Sequence, residues 1–359
     1  MFFHLKKLDW FLIVIALLLT GIGLLSIYST SQENLVNFKK QILFIGSGFF
    51  LMFGLSLFDY RILKNHSVIL IILYVFCLVL LGGLFFLGRE VRGSVSWFQF
   101  GFLNFQPVEL AKIVIILILA KYFSFRHIEM YRIRHIIISG VYIGLPALLL
   151  FPQPDLGSVL ILGSIWLGVM LIAGIKTRHL IVLTLVAILL VGGSWFLLLR
   201  DYQKQRILTF INPQTDPYGQ GYNIVQSLIS VGSGGLFGKG QGQGSQSQLK
   251  FLPERQTDFI FASIAEERGL VGVFFLSVLF ALLFWRILKI AIFSSNNFSR
   301  LFASGFVIML FSQMFINVGM NMAILPITGL TLPFVSYGGS SLLTIFLGLG
   351  ILQSIKARS

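Results

Sequence analysis

The stretch WFLIVIALLLTGIGLLSIY, residues 10–28, is apolar from end to end and carries no charged residue. A helix of roughly 20 predominantly apolar residues crosses the hydrocarbon core of a bilayer, so this stretch predicts a membrane-spanning helix. The run is too long for the apolar region of a signal peptide, and no small-x-small cleavage site follows it. We therefore expect it to stay in the protein as the first span.

Comparable apolar stretches follow along the whole chain, in which 56% of the residues are hydrophobic and only 11% are charged. That composition lies outside the range of soluble globular proteins. The sequence predicts one polytopic all-α membrane domain, residues 1–359, with ten transmembrane helices. The nine further spans are expected at 41–58, 67–87, 108–123, 136–151, 156–173, 179–199, 260–285, 301–325 and 334–354.

Lysine and arginine near the span ends predict the orientation, because cytoplasmic loops carry an excess of them. With the N-terminus inside, the short outer loops hold only Lys39, Lys40, Arg89 and Arg92. Both termini are therefore expected in the cytoplasm. The inner segments then hold Lys6, Lys7, Arg61, Lys64, Lys121, Arg126, Arg132, Arg134, Lys176, Arg178, Arg286, Lys289, Arg300, Lys356 and Arg358.

The formal net charge of +14 is spread over several short inner segments. It forms no single basic groove, so nucleic-acid binding is not expected. The acidic residues show the opposite bias, and chemistry that uses carboxylates should face outward. The outer acids are Glu33, Glu90, Glu109, Asp155, Asp201, Asp216, Glu254, Asp258, Glu266 and Glu267.

One long outer loop, residues 200–258, interrupts the pattern of short connections between the seventh and eighth spans. Loops of this length are usually functional or disordered. Its apolar stretch at 224–231 predicts an amphipathic helix on the bilayer surface. The glycine-rich segment GSGGLFGKGQGQGSQSQ, residues 232–248, suits either a mobile flap over a lipid-linked substrate or a flexible linker.

The fourth span opens with QPVELAK, residues 106–112. Pro107 suits the first position of a helix, and Glu109 lies against the positive end of the helix dipole. Glu109 and Lys112 are three residues apart, so they share a face and can pair. Ionisable groups at membrane depth usually face a polar cavity. The alternative is a helix cap followed by a lysine that extends to the membrane surface.

The very short outer turn PQPDLG, residues 152–157, places Asp155 at the start of the sixth span. An aspartate at this position commonly caps the helix. The same position also allows Asp155 to face the cavity predicted for Glu109.

The segment FLPERQTDFIF, residues 251–261, leads into the eighth span. Pro253 ends the preceding structure, Thr257 can cap, and the helix is expected to begin at or near Asp258. A carboxylate held at the membrane surface could accept a proton from a substrate hydroxyl, which is the task of a general base. The alternative is that Asp258 only caps the helix.

Polar side chains form a stripe on the ninth span at Gln313, Asn317 and Asn321. Hydrogen bonding between helices explains such stripes more often than transport does. The loop that follows, residues 321–341, is rich in proline and glycine and predicts a broken connection before the tenth span. Irregular backbone at this depth is tolerated only where it lines protein or a cavity.

Taken in order, these motifs closely resemble the SEDS family of shape, elongation, division and sporulation proteins. LDW at 8–10 and DYR at 59–61 are most similar to its elongation branch, and the resemblance covers essentially the whole chain. The motifs are RGSVSW (92–97), QPVELAK (106–112), PQPDLGS (152–158), GSQSQLKFLPERQTDFIFASIAEERG (244–269) and NVGMNMAILPITGLTLPFVSYGGSS (317–341).

The resemblance implies an inverting peptidoglycan glycosyltransferase that polymerises lipid II at the outer face of the cytoplasmic membrane during cell elongation. Its partners would be lipid II, glycan linked to undecaprenyl pyrophosphate, and a class B penicillin-binding protein. The family's essential aspartate falls on Asp258, and its conserved Glu and Lys fall on Glu109 and Lys112. A divalent cation, Mg or Mn, is plausible, although no ligand spacing identifies its site. Phosphate-binding candidates are Lys112, Arg92, Arg206 and Arg255, and Asp155 is a further cavity residue.

Departures from the family pattern are few: Ser96 stands where arginine is frequent, and Gln256 stands where histidine is frequent. Ser96 puts in doubt a phosphate contact at that corner of the cavity. Three other functions remain open, namely a flippase for lipid II, a division-type polymerase, and a scaffold for the wall-elongation machinery.

Overall fold

The computed structural model describes residues 7–31, 35–91, 94–100, 103–125, 133–153, 155–197 and 201–358. A helix lies at each of the ten predicted spans, and four shorter helices connect them. In chain order the helices are α1 Trp10–Thr30, α2 Val36–Leu57, α3 Arg61–Asn65, α4 Ser67–Leu87, α5 Pro107–Ser124, α6 Ile133–Leu150, α7 Leu156–Ala173, α8 Thr177–Leu197, α9 Asp201–Ile211, α10 Gln220–Ser233, α11 Ser245–Gln248, α12 Ile260–Ile292, α13 Asn297–Asn321 and α14 Gly339–Ala357.

Eight of the ten long helices are both at least 18 residues long and apolar enough to cross a membrane. The other two are α5, which carries three charged residues, and α8, in which Thr177–Val186 is the apolar stretch within the fully described residues. Large apolar side chains on the outside of the bundle, such as Phe50 and Phe86, are more than four-fifths exposed, as suits contact with lipid. The protein is a multi-pass membrane protein.

The centre of the bundle is α13, which packs against α5, α7 and α12, while α14 packs along α2. Gly305 shows why the first of these contacts is close. A Cβ at Gly305 would lie 2.9 Å from Ile116 of α5 and 3.0 Å from Val169 of α7. Small residues let helices approach in a bilayer, where van der Waals packing has to hold them together.

The connection between α4 and α5 contains a small antiparallel sheet that the sequence analysis did not anticipate. Its strands are β1 Arg89–Val91, β2 Ser94–Phe100 and β3 Leu103–Phe105, in the order β1-β2-β3. The hydroxyl of Ser340 donates to the carbonyl of Asn104 at 2.8 Å, which ties β3 to the start of α14. The sheet therefore lies beside the start of α14.

The long loop between α8 and α12 is folded rather than extended. The helix predicted around 224–231 is confirmed as α10, which packs on α12 and α13 through buried Ile224, Ser227 and Ser230. Val225, Leu228 and Ile229 lie on its exposed side, each more than two-fifths exposed. An apolar outer face suits the bilayer surface, where the sequence analysis expects this helix.

Asp9 joins three helices at the end of the bundle where the sequence analysis places the cytoplasm. Its carboxylate accepts from the main-chain N–H of Leu12 at 3.1 Å and from Nε of Arg286 at 2.6 Å. Its own main chain exchanges two hydrogen bonds with the Gln353 amide, at 2.8 and 3.1 Å. The residue is 3% exposed, so α1, α12 and α14 meet in a buried polar contact.

We expect Asp9→Ala to lower the free energy of unfolding by about 2–3 kcal/mol, because it removes a helix cap and a charged hydrogen bond together. Thermal unfolding of the protein in detergent measures the loss. The control is Asp59→Ala, since that carboxylate is 39% exposed and lies 3.7 Å from Nε of Arg358. Equal losses from both variants would contradict the role given to Asp9.

Candidate active site

The segment before α12 is a tight turn rather than the start of a helix. The carbonyl of Glu254 accepts from the main-chain N–H groups of Thr257 at 3.1 Å and Phe259 at 3.2 Å. The helix begins at Ile260, two residues later than expected, and Phe259 is its N-cap. The sequence analysis allowed Thr257 as the cap, and this is wrong. The Thr257 hydroxyl donates instead to the carbonyl and carboxylate of Glu254.

Two side chains of α13 hold Asp258 in place. The amide groups of Asn317 and Asn321 each donate to the carbonyl oxygen of Asp258 at 2.9 Å. The Oδ1 atom of Asn321 also accepts from the N–H of Ala262 at 3.1 Å. These bonds confirm that the polar stripe joins helices. The stripe therefore fixes the backbone of Asp258, a residue that is partly exposed.

The irregular segment 322–338 brings the N-terminal end of α7 close to Asp258. A Cβ on Gly329, whose φ is +73°, would lie 3.8 Å from Oδ2 of Asp258. Its neighbours Thr328 and Leu330 pack against Gly157, near the start of α7. The segment lies within the predicted loop 321–341, and the flanking spans differ from prediction in that α13 ends at Asn321 rather than 325 and α14 begins at 339 rather than 334.

Asp155 is the N-cap of α7 and also reaches α5. Its carboxylate accepts from the N–H and the hydroxyl of Ser158 at 3.0 and 2.7 Å, and from Nε2 of Gln106 at 3.4 Å. Loss of hydration on burial raises the pKa of the Asp155 carboxyl above its usual value. Asp155 therefore caps its helix while also facing the residues that open α5.

Glu109 and Lys112 form a buried ion pair in the first turns of α5. The Nζ atom of Lys112 lies 2.7 Å from Oε1 of Glu109, and the residues are 0% and 5% exposed respectively. Pro107 occupies the first turn, and the predicted pairing on one face is confirmed. The alternative interpretation, in which the Lys112 side chain extends to the membrane surface, is wrong, because that side chain is fully enclosed.

The other predicted cations are placed less completely. Arg255 donates to the carbonyl of Thr30 at 3.0 Å, which ties the turn before α12 to the end of α1. Arg206 belongs to α9, but its side chain lies outside the described part of the structure, and so does all of Arg92. Ser96 is buried and donates to the carbonyl of Gln153 at 3.3 Å.

A wide polar cavity of about 740 Å³ opens beside the turn that carries Asp258. Arg255 is the one lining residue that the sequence analysis had proposed as a site residue. Among the other lining residues, Lys40 could have been noticed in the sequence, because it is one of the few cations in the short loops predicted to be outside. The lining consists of Thr30, Ser31, Val36, Asn37, Lys40, Asn104, Gln248, Lys250, Leu252, Pro253, Glu254, Arg255, Gln256, Thr257 and Tyr337.

Sequence reasoning also missed the role of two adjacent glutamates in α12. Glu266 is 0% exposed and accepts from the N–H groups of Gln246 and Ser247, at 2.9 and 3.0 Å, and from Nζ of Lys239 at 3.0 Å. Glu267 accepts from the hydroxyl of Ser29, the N–H of Gly242 and the amide of Gln248. The glycine-rich segment is thus fixed onto α12, so it is neither the flexible linker nor the mobile flap that the sequence analysis offered as alternatives.

The same segment accepts hydrogen bonds from main-chain N–H groups of α12 at a point where the helix bends. The helix is 33 residues long, about 50 Å, and bends at Gly269, whose φ is +63°. Past the bend, the N–H groups of Leu270 and Val271 donate to the carbonyls of Gly235 and Leu236, at 2.9 and 3.1 Å. These bonds and those of Glu266 and Glu267 lie on both sides of the bend. They join this part of α12 to the loop that leads to the cavity.

We expect Glu266→Gln to loosen the loop from α12, because a neutral amide accepts hydrogen bonds more weakly than a carboxylate. Protection of the Gln246 and Ser247 amides against hydrogen exchange should fall about tenfold. Ser277→Ala is the matched control, since Ser277 is exposed on the same helix and its hydroxyl bonds only its own helix. Unchanged protection in Glu266→Gln would show that the carboxylate does not hold the segment.

No three side chains of His, Cys, Asp or Glu are grouped closely enough to hold a metal ion within the described residues.

Comparison with known proteins identifies the family. A family model described as cell cycle protein FTSW_RODA_SPOVE matches residues 9–359. The chain belongs to the FtsW/RodA/SpoVE family. This is the SEDS family that the sequence motifs resemble. Relatives in the family include the peptidoglycan glycosyltransferase MrdB of Escherichia coli K12, which is 38% identical over 97% of this chain and 93% of its own. Stage V sporulation protein E of Bacillus subtilis is 36% identical over 98% of this chain and 97% of its own.

Solved structures of the family agree with the fold. A chain from work on the structural coordination of polymerization and crosslinking by a peptidoglycan synthase complex has a TM-score of 0.84. It is 35% identical, and the match covers 98% of both chains. The rod shape determining protein RodA of Thermus thermophilus has a TM-score of 0.73 and 32% identity, with 97% of this chain and 96% of that chain covered.

Proposed function

We propose that the chain is a peptidoglycan glycosyltransferase of the elongation type, which polymerises lipid II with Asp258 as general base. The observation that carries the proposal is the position of Asp258. Its backbone is fixed by Asn317 and Asn321, and the residue remains partly exposed. The relative MrdB is named a peptidoglycan glycosyltransferase. It is 38% identical in sequence over 97% of this chain, which supports the same reaction here.

The chemistry needs one base and one stabilised leaving group. The 4-hydroxyl of the acceptor sugar attacks the anomeric carbon of the donor, and Asp258 takes the hydroxyl proton. A new glycosidic bond forms as the bond from that carbon to the pyrophosphate oxygen breaks. Undecaprenyl pyrophosphate departs with the electron pair, and the anomeric configuration inverts.

Cationic groups would stabilise the departing pyrophosphate. Arg255, Arg92 and Arg206 are proposed for direct contact. Lys112 would act through the field of its ion pair, since its ammonium is enclosed and points at Glu109. Asp155 would help to position the start of α5 through Gln106.

A divalent cation, Mg or Mn, belongs to the proposal as well. Mg is commonly held by one or two carboxylates together with substrate phosphates. The partly exposed Asp258 fits that arrangement without a preformed cluster of protein ligands. A bound cation would neutralise charge on the pyrophosphate.

The orientation and the partner follow from the same reasoning. With both termini cytoplasmic, Asp258 and the cavity face outward, where lipid II presents its sugars. We propose a class B penicillin-binding protein as the partner that crosslinks the product. The structural neighbour described as coordinating polymerization and crosslinking in a peptidoglycan synthase complex supports this pairing.

A lipid II flippase is the second candidate, because it would bind the same lipid. A flippase needs polar groups along the whole crossing. Below Lys112, however, α5 continues through the buried apolar run from Ile113 to Ala120. The polar groups beside Asp258 lie at one end of the bundle, which favours chemistry on one face. A scaffold would not need a buried ion pair at that depth.

The decisive experiment uses the full chain purified with a class B penicillin-binding protein in lipid vesicles. Lipid II is supplied, and both glycan polymer and transfer of lipid II between leaflets are measured. The polymerase proposal expects polymer. Transfer of lipid II without polymer would instead establish the flippase, and neither activity would favour the scaffold.

A further inference from the structure

The cavity of about 740 Å³ is separate from the buried charges of α5. Its lining includes Thr257 but not Glu109, Lys112 or Asp155. Thr257 is followed directly by Asp258, whose carboxylate faces Gly329 on the side of α7. The turn that bears the proposed base therefore has the cavity beside it and the outer ends of α5 and α7 beyond Gly329.

The wall of the cavity is rigid around Gln256. Its Oε1 accepts from the amide of Asn37 at 2.8 Å, and its Nε2 donates to the hydroxyls of Ser31 at 2.9 Å and Thr30 at 3.2 Å. Its carbonyl accepts from the N–H of Tyr337 at 2.8 Å. A site whose polar groups are already held in place loses little freedom when a ligand binds.

The lining suits a sugar that carries an anionic group. It offers several amides and hydroxyls together with the ring of Tyr337, and three cations against one carboxylate, that of Glu254. Lys40 has no ion-pair partner among the residues the structure describes. A volume of this size lies within the usual range for small-molecule sites, about 300–1,000 Å³.

Glycosyl transfer joins two sugar-bearing substrates, so a polymerase needs a place for each. The enclosed Glu109–Lys112 pair has no room for a sugar beside it, because both residues are at most 5% exposed. A wide polar cavity beside the turn that carries the base supplies the missing place.

Resting on the proposed function, we infer that this cavity is a saccharide subsite, which binds the sugar and acidic peptide of one lipid-linked substrate. Lys40 binds a carboxylate of the peptide. Asn37 and Tyr337 contact the sugar and direct it towards Asp258. Lys40 is thus a specificity residue that reads the head of the substrate and not its pyrophosphate.

The test compares Lys40→Gln with Lys39→Gln. Lys39 precedes Lys40 on α2, is exposed, and does not line the cavity. We expect Lys40→Gln to raise the KM for lipid II about tenfold with kcat changed less than about twofold, because it removes a charged hydrogen bond made alike in ground and transition states. Lys39→Gln should match the wild type, and Lys40→Arg should restore most of the affinity.

Binding measurements separate the two anionic parts of the substrate. Lys40→Gln should weaken binding of lipid II about tenfold and leave binding of undecaprenyl pyrophosphate, which has no sugar or peptide, unchanged. Equal weakening of both ligands would overturn the saccharide assignment, because it would place the pyrophosphate at Lys40 and not only at Arg255. Equal behaviour of Lys40→Gln and Lys39→Gln would overturn the subsite altogether. If the wild type binds lipid II but makes no polymer, the proposed function fails while the binding comparison still decides the subsite.

Discussion

Asp258→Asn is expected to reduce polymerisation of lipid II at least about a hundredfold, the usual contribution of a positioned general base. An asparagine amide cannot accept the proton of the sugar hydroxyl. The turn should survive the change, because Asn317 and Asn321 bond the carbonyl of Asp258 and not its carboxylate. The loss should therefore fall on kcat, with unfolding temperature and lipid II binding close to those of the wild type. Polymer formed from fluorescent lipid II measures the rate.

The matched control is Asp216→Asn, which removes another carboxylate of the same outer loop that has no part in the proposed site. It should polymerise at the wild-type rate. Polymerisation by Asp258→Asn within a few-fold of this control would remove Asp258 as the base. If the loss of activity came with a marked fall in unfolding temperature that Asp216→Asn does not show, Asp258 would instead have a structural role.

Lys112→Met is expected to have the largest effect on stability. It leaves the Glu109 carboxylate buried without its partner, and breaking a buried pair from one side costs about 3–5 kcal/mol. The double variant Glu109→Gln/Lys112→Met should recover much of that loss, because no unpaired charge remains. Thermal unfolding in detergent of the wild type, both single variants and the double variant gives the coupling energy.

Lys289→Met provides the comparison for a lysine outside the bundle core. It is exposed in the last turn of α12, so its loss should cost under about 1 kcal/mol. If Lys112→Met were as mild as Lys289→Met, the ion pair seen between Glu109 and Lys112 would contribute little to the folded state.

The sequence predicts the membrane helices well, because apolar length is written directly into consecutive residues. It predicts helix ends poorly where tertiary contacts decide them. The ninth span was expected to run to 325, but the Asn317 amide also donates to the carbonyl of Leu330 at 2.7 Å, which draws the following chain back. The strands β1 to β3 were missed, because β1 and β3 have three residues each and the alternation of polar and apolar residues in β2 changes phase between Trp97 and Phe98.

Among the site residues, too, contacts between neighbours in sequence could be predicted and contacts between distant residues could not. Glu109 and Lys112 could be paired from their spacing, because residues three apart share one face of a helix. Asn37 and Gln256 could not be paired, because they are 219 residues apart and meet only in the folded chain. The bonds from Glu266 to the glycine-rich segment are hidden for a similar reason. Nothing local marks which of two adjacent acids will bind a loop.

The bend at Gly269 has a consequence for biogenesis. A ribosome makes Gly235 and Leu236 before it makes Leu270 and Val271, whose N–H groups those two carbonyls satisfy. If the loop is translocated as proposed, its acceptors reach the far side first, and nascent α12 arrives beside ready partners. A circular permutation that delivered residues 232–248 after α12 would leave those donors bare during insertion, when unsatisfied backbone groups are most costly.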